Sequence, residues 1–335
     1  MPPPLSEQVV VVTGASSGIG RETALLLAEQ GADVVLAARN EEALRTLEAE
    51  VTRLGGTAHV QVTDVAQWEQ VDRLAAGAVE RFGRIDTWVN CAATALYGEV
   101  HELTAEEITR AVQVILLGQV YGMKAALERM RAQGAGGIVN VASALAVQAV
   151  PLQSAYVAAK HGVLGFAESL RMELEHAGSA ITVSTLLPSS VNTPLFEHAR
   201  SKLGVLPQPV PPVYQPRVVA EAVLRAVEHP QPRMVVGGAG KGLELLHRIA
   251  PRTAGTLLLR LGKTVRKQRS GRPDTGGDNL FAPSTGPGAV DGSFGQRAKS
   301  TSLYTTALEQ HPYRLRLLLG ATAALAVAAV RRAGR

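Results

Sequence analysis

The run Thr13-Gly14-Ala15-Ser16-Ser17-Gly18-Ile19-Gly20 constrains this chain more than any other stretch. It follows directly on the apolar residues 9–12 and precedes residues 21–30, where apolar side chains recur at helical spacing. Three glycines in a strand-to-helix turn let backbone approach a pyrophosphate closely. They also aim free N–H groups and the positive end of the helix dipole at its charge. Glycines alone carry little information in a chain with 33 of them. The strand before, the helix behind and the continuing strand–helix alternation are what the motif requires. Gly14, Ser16, Ser17, Gly18, Ile19 and Gly20 are therefore the expected phosphate cradle of a dinucleotide.

Six further short strands are expected, at residues 33–37, 57–62, 87–90, 138–141, 181–186 and 234–236. Most are continuous apolar runs, as parallel strands covered on both faces require. Helical patterns between them predict an α/β fold, a Rossmann-like doubly wound parallel sheet. At 46% apolar and 4% aromatic, the 335 residues suit helix-on-sheet packing better than a β-sandwich. The single cysteine, Cys91, excludes an internal disulfide and a cysteine-based metal site, and no metal is expected. The division expected is a dinucleotide-binding domain over residues 1–240 and a basic C-terminal helical and irregular extension over residues 241–335. Within it, residues 271–295 read as an irregular linker and residues 315–330 as an apolar terminal helix. Residues 206–216 contain five prolines and read as a flap.

The end of the second strand bears on which dinucleotide binds. An NAD site usually places a carboxylate there; this strand ends Ala37-Ala38-Arg39-Asn40. Arg39 suits a 2′-phosphate, so NADP(H) is the preferred cofactor, with NAD(H) the alternative. Asp64, with Val65 beside it, is expected at the adenine. Ala92 belongs to the cofactor cleft, and Asn90 is expected to brace the sheet and line that cleft.

Strand five runs into Ser143, and Tyr156 and Lys160 follow four residues apart, on one helical face. Hydride transfer to a carbonyl leaves an oxygen that needs a proton. A free phenol, with a pKa of about 10, is a poor donor and acceptor near neutrality. An ammonium one turn away is expected to pull that value down. The expected roles are Tyr156 as general acid/base, Lys160 as its tuner and a ribose ligand, and Ser143 as the donor that positions the substrate oxygen. Apolar flap residues Leu195, Phe196, Leu203, Val205, Leu206, Val210, Val213 and Tyr214 are expected to roof the substrate.

Taken together, residues 6–240 resemble the short-chain dehydrogenase/reductase family. The resemblance rests on the glycine turn, Asp64, Asn90, Ser143, Tyr156, Lys160 and the run Pro188-Ser189-Ser190-Val191-Asn192-Thr193-Pro194. It implies a seven-stranded sheet of order 3-2-1-4-5-6-7. It also implies cofactor contacts from Pro188, Val191 and Thr193, alcohol or ketone substrates, and homo-oligomers built through the helices after strands four and five. Three positions depart from the family pattern. Ile115 stands where a catalytic asparagine is usual, and Gln113 is no clear replacement; Ala93 and Ser189 stand where glycines are usual. Ile115 leaves a second reading open, a nucleotide-binding sensor or scaffold with weak or lost turnover.

Charge is distributed unevenly. Residues 241–335 hold 16 Lys/Arg against five Asp/Glu, although the whole chain is only +5. A basic tail suits an anionic partner. Aromatics are not interleaved with the arginines, so nucleic acid is not expected. The apolar run at residues 317–330 is shorter than the roughly 20 residues a spanning helix needs. It reads as a packing helix, a membrane-surface anchor or a span. The N-terminus lacks the basic and apolar regions of a signal peptide, so the expected location is the cytoplasm, with possible membrane association through the tail.

Overall fold

The structure, a computed structural model, describes residues 2–250, 255–256, 263–274 and 276–306. Seven parallel strands form the sheet: β1 (Val9–Thr13), β2 (Asp33–Ala38), β3 (Ala58–Val62), β4 (Thr87–Asn90), β5 (Ala135–Val141), β6 (Ala180–Pro188) and β7 (Arg233–Val236). Their spatial order is β3-β2-β1-β4-β5-β6-β7, the order that the family resemblance implies. Val10 pairs with Val34 on one side and with Thr87 on the other, so the sheet reverses direction between β1 and β4. A crevice opens at such a switch point, beyond the carboxyl ends of the strands.

All five residues of β1 are buried because helices cover both faces. On one face Val10 and Val12 pack with Leu27, Leu44 and Val223, from α1 (Gly18–Glu29), α2 (Glu41–Arg53) and α7 (Pro216–Glu228). On the other, Val9 and Val11 pack with Leu74, Met123 and Leu170, from α3 (Trp68–Phe82), α5 (Gly118–Gln133) and α6 (Ser154–His176). Period-two alternation therefore exists, but both phases are apolar. Helix boundaries follow local chemistry. Asn40 caps α2 by accepting the Ala43 N–H, and Thr104 and Glu107 form a capping box at α4 (Ala105–Val112). One π-helical turn, Gln113–Leu117, joins α4 to α5.

The region beyond β7 departs from the expectation of a linker. Helix α8 (Gly238–Ile249) packs beside β7. Arg269–Pro273 then pairs antiparallel with Val205–Pro207, and Ala298–Lys299 pairs with Val213–Tyr214, which pairs with Ser190–Val191. Residues 276–294 are irregular, as their glycines and prolines demand. They are held against the Rossmann body, however, by polar contacts that composition does not display. The expected terminal helix at residues 315–330 lies outside the described residues. Among the described residues no helix is long and apolar enough to cross a membrane.

Candidate active site

A cavity of about 450 Å³ lies along the carboxyl ends of the strands. The glycine turn forms its floor at one end. Gly14 has φ of +72°, and a Cβ there would stand 2.6 Å from the Ala92 backbone, so the β1 and β4 loops meet only because this residue is glycine. Ser17 occupies the N-cap of α1 without making a side-chain cap bond, and the Gly18 N–H donates instead to the Ala289 carbonyl at 2.8 Å. Gly14, Ser16, Ser17, Gly18, Ile19 and Gly20 all line the cavity, joined by Arg39, Asp64, Val65 and Ala92. Pro188, Val191 and Thr193 line it from the loop after β6.

Asn90 is the exception among the expected cofactor residues, because it does not line the cavity. Its side chain accepts from Trp88 Nε1 (2.9 Å) and donates to Asn140 Oδ1 (2.9 Å) and to the Gln119 carbonyl (3.3 Å). It ties β4, β5 and α5 together in the interior. The adenosine end also differs in detail from the expectation. Asp64 accepts from Arg110 at 2.6 Å and from the Ala66 N–H at 3.0 Å. Arg39 donates to the carbonyls of Asn279 and Phe281, and burial holds its pKa below the ordinary value.

At the other end Ser143, Tyr156 and Lys160 come together. Ser143 follows β5, and its Oγ accepts the Leu145 N–H at 3.1 Å. Tyr156 and Lys160 rise from the first turns of α6, with the Lys160 Nζ 5.7 Å from the Tyr156 ring centroid. That ammonium donates to the Val141 carbonyl at 2.8 Å. The expected lowering of the tyrosine pKa does not emerge from these protein groups alone. Burial pushes the Tyr156 phenol up to about 12, against an opposing hydrogen bond from Ser143. Burial also brings Lys160 down to about 8. Desolvation is the largest influence on both groups. Cys91 lines the same cavity, its thiol pushed up to about 12 by burial.

Of the eight expected flap residues only Leu195, Phe196 and Val210 line the cavity. Leu203 packs with Ala95 and Tyr97, while Val213 and Tyr214 are buried in the short sheet beneath the flap. Sequence reasoning passed over several cavity residues, including Tyr97, Gln153, Gln268, Asn279 and Ser284. Tyr97 had no periodic signal. Burial and the neighbouring Tyr156 raise its hydroxyl pKa above the ordinary tyrosine value. Ile115 sits in the π-helical turn, fully buried among Leu96, Leu103, Ala111, Ala155 and Leu280. Ser189 accepts the Gly240 N–H at 3.0 Å, so its hydroxyl replaces glycine's freedom with a tie to α8.

A doubly wound sheet with a glycine turn at its switch point, and a serine, tyrosine and lysine gathered at the far end of the same cleft, defines a dehydrogenase-type nucleotide-binding fold. The short chain dehydrogenase family model matches residues 8–204, and the chain belongs to that family of oxidoreductases. An uncharacterised oxidoreductase of Bacillus subtilis strain 168, YxnA, is 38% identical over 309 residues, 91% of this chain and 86% of that protein. Levodione reductase of Leifsonia aquatica is 35% identical over 201 residues, 59% of this chain and 74% of that one. Among solved structures, a variant of actinorhodin polyketide ketoreductase with NADPH is 34% identical at a TM-score of 0.63, covering 70% of this chain and 97% of that one. A short chain dehydrogenase/reductase from Burkholderia phymatum in complex with NAD is 26% identical at a TM-score of 0.68, covering 74% and 95%. The two solved structures hold NADPH and NAD respectively, and they support a nicotinamide cofactor here.

Proposed function

We propose that the protein interconverts an alcohol and a carbonyl group on a small-to-medium apolar substrate, with NADP(H) as its preferred cofactor. One observation carries the reading: Ser143, Tyr156 and Lys160 share a single cleft with the glycine turn at the start of α1. The residues fit a dinucleotide, with the turn and helix end toward the pyrophosphate and Arg39 toward the 2′-phosphate. When bound, the nicotinamide supplies or accepts the hydride. Tyr156, a neutral phenol at pH 7, donates its proton to the substrate oxygen during reduction. Ser143 donates a hydrogen bond that holds that oxygen in place. Lys160 binds the ribose and, as an ammonium, stabilises the phenolate left when Tyr156 gives up its proton. Leu195, Phe196 and Val210 give the pocket its apolar wall. Exposed Phe166 and Met172 on α6 suit the homo-oligomer contact that the family resemblance implies.

The test is a set of carbonyl compounds assayed by NADPH and NADH absorbance. Tyr156→Phe is expected to lower the rate by about 10²–10⁴-fold, the range of general acid catalysis; an unaffected rate overturns the assignment. Arg39→Asp is expected to weaken NADPH selectively, and an equal loss for both cofactors counts against the 2′-phosphate role. A nucleotide-binding sensor with weak turnover is the second reading. It is favoured by Ile115, whose apolar surroundings put no polar side chain at the usual asparagine position.

A further inference from the structure

Residues 278–289 cross the adenosine end of the cleft as a strap. Asn279, Pro283 and Ser284 line the same cavity as Ser16, Arg39 and Asp64. Three consecutive strap carbonyls are engaged by two arginines of the Rossmann body. Arg39 donates to Asn279 O and Phe281 O, and Arg110 donates to Leu280 O at 3.0 Å while pairing with Asp64. Between those anchors the Leu280 side chain is fully buried against Leu96 and Ile115. Thr94 Oγ1 donates to Asn279 Oδ1 at 2.8 Å, and Asp278 pairs with Arg200 at 2.8 Å.

Farther along, the strap lies on the glycine turn itself. The Gly18 N–H donates to Ala289 O at 2.8 Å, and Arg21 donates to Pro287 O at 3.2 Å. A Cβ on Gly288, which has φ of +77°, would stand 2.2 Å from Ser16 O. No larger residue fits there without lifting the strap.

We propose that this strap is a working part of the cofactor site: it forms the outer wall over the adenosine half and fixes the guanidinium of Arg39. The proposal rests on the reading that the cleft takes a nicotinamide dinucleotide. A ligand seated there has Arg39 and Asp64 on one side and Asn279, Pro283 and Ser284 on the other, so its adenosine end leaves only when the strap unseats. Two bonds to strap carbonyls hold Arg39 in one plane, and a fixed guanidinium loses less freedom when it takes a phosphate. The strap thus governs both how long the cofactor stays and how strongly a 2′-phosphate is preferred.

Two variants act on the strap alone: Leu280→Ala removes its plug, and Gly288→Val drives it off Ser16. NADPH dissociation, followed by fluorescence on chasing with excess unlabelled nucleotide, is expected to quicken by at least about tenfold in each. The ratio of NADH to NADPH dissociation constants is expected to fall toward one. Rates and ratio equal to those of the unaltered chain, in variants whose strap protease now cleaves, overturn the proposal. Should either variant fail to fold, hydrogen exchange on the unaltered full chain decides it. Amides of residues 280–282 and 284 are expected to exchange more slowly with NADPH present, and unchanged exchange overturns the strap's role. No binding of either nucleotide to the unaltered chain overturns the cofactor reading itself.

Discussion

Tyr156 shows how burial sets the terms for a catalytic side chain. With the phenol up at about 12 and Lys160 down at about 8, protein groups alone favour the protonated tyrosine across the neutral range. Reduction uses the phenol as a proton donor, and oxidation uses it as an acceptor. The reductive rate is therefore expected to hold up to about pH 8 and decline above it as Lys160 loses its charge, while the oxidative rate rises with pH. Profiles measured in both directions check this, and a flat oxidative profile from about pH 7 to about pH 10 would remove Tyr156 from the role. Ile115 has a different exposure to test. Its side chain is sealed in an apolar cluster, so Ile115→Asn is expected to bury an unpaired amide and to cost about 1–3 kcal/mol. Thermal unfolding reads that loss; an unchanged Tm would mean that the amide finds partners in this cluster.

At the scale of elements, most strands were readable because both phases of the pleat are apolar and the run ends at a Gly, Asn or Ser; β3, with His59 and Gln61 in one phase, is the exception. Every expected strand lies within three residues of its observed bounds. The trio of Ser143, Tyr156 and Lys160 was equally readable, since a strand end and one helical turn are local features. Leu203, Val213 and Tyr214 were not, because an apolar flap residue can turn toward the cavity or away from it. The segment Leu96–Tyr97 is held to Arg200–Ser201 by a short pairing that sequence does not announce. Beside it Glu107 accepts from Arg200 and Lys202, both at 2.8 Å. Despite the upward push of burial, these cations and the Thr104 N–H hold Glu107 down at about 2. A carboxylate depressed on folding adds stability above its unfolded value of 4.5, and that stability is lost as pH falls toward 2. Glu107→Gln is expected to flatten the pH dependence in that window, as read by denaturant titration at several pH values; an unchanged slope would show that the pairing contributes nothing to folding.

For the whole molecule, the least legible feature was the placement of residues 276–294. Their composition promised irregular backbone and delivered it. Their position is set by single hydrogen bonds from Asn40, Arg21 and Arg39, which leave no periodic trace in the chain. Such contacts are remote in sequence, with 240 residues between Arg39 and Asn279 and 266 between Arg21 and Pro287. Closing loops of that length is entropically demanding, and it follows rather than leads the local pairing of strands and helices. Refolding from denaturant is accordingly expected to recover helical circular dichroism before it recovers slow nucleotide release. Simultaneous recovery would contradict that order.

The same sequence separation has a meaning during synthesis. Every element beneath the strap is translated before the strap is, so a nascent chain owns a finished groove while its cover is still inside the ribosome. First loading of the groove needs no opening event. Each later exchange does, and the two differ only in whether residues 278–289 have yet emerged.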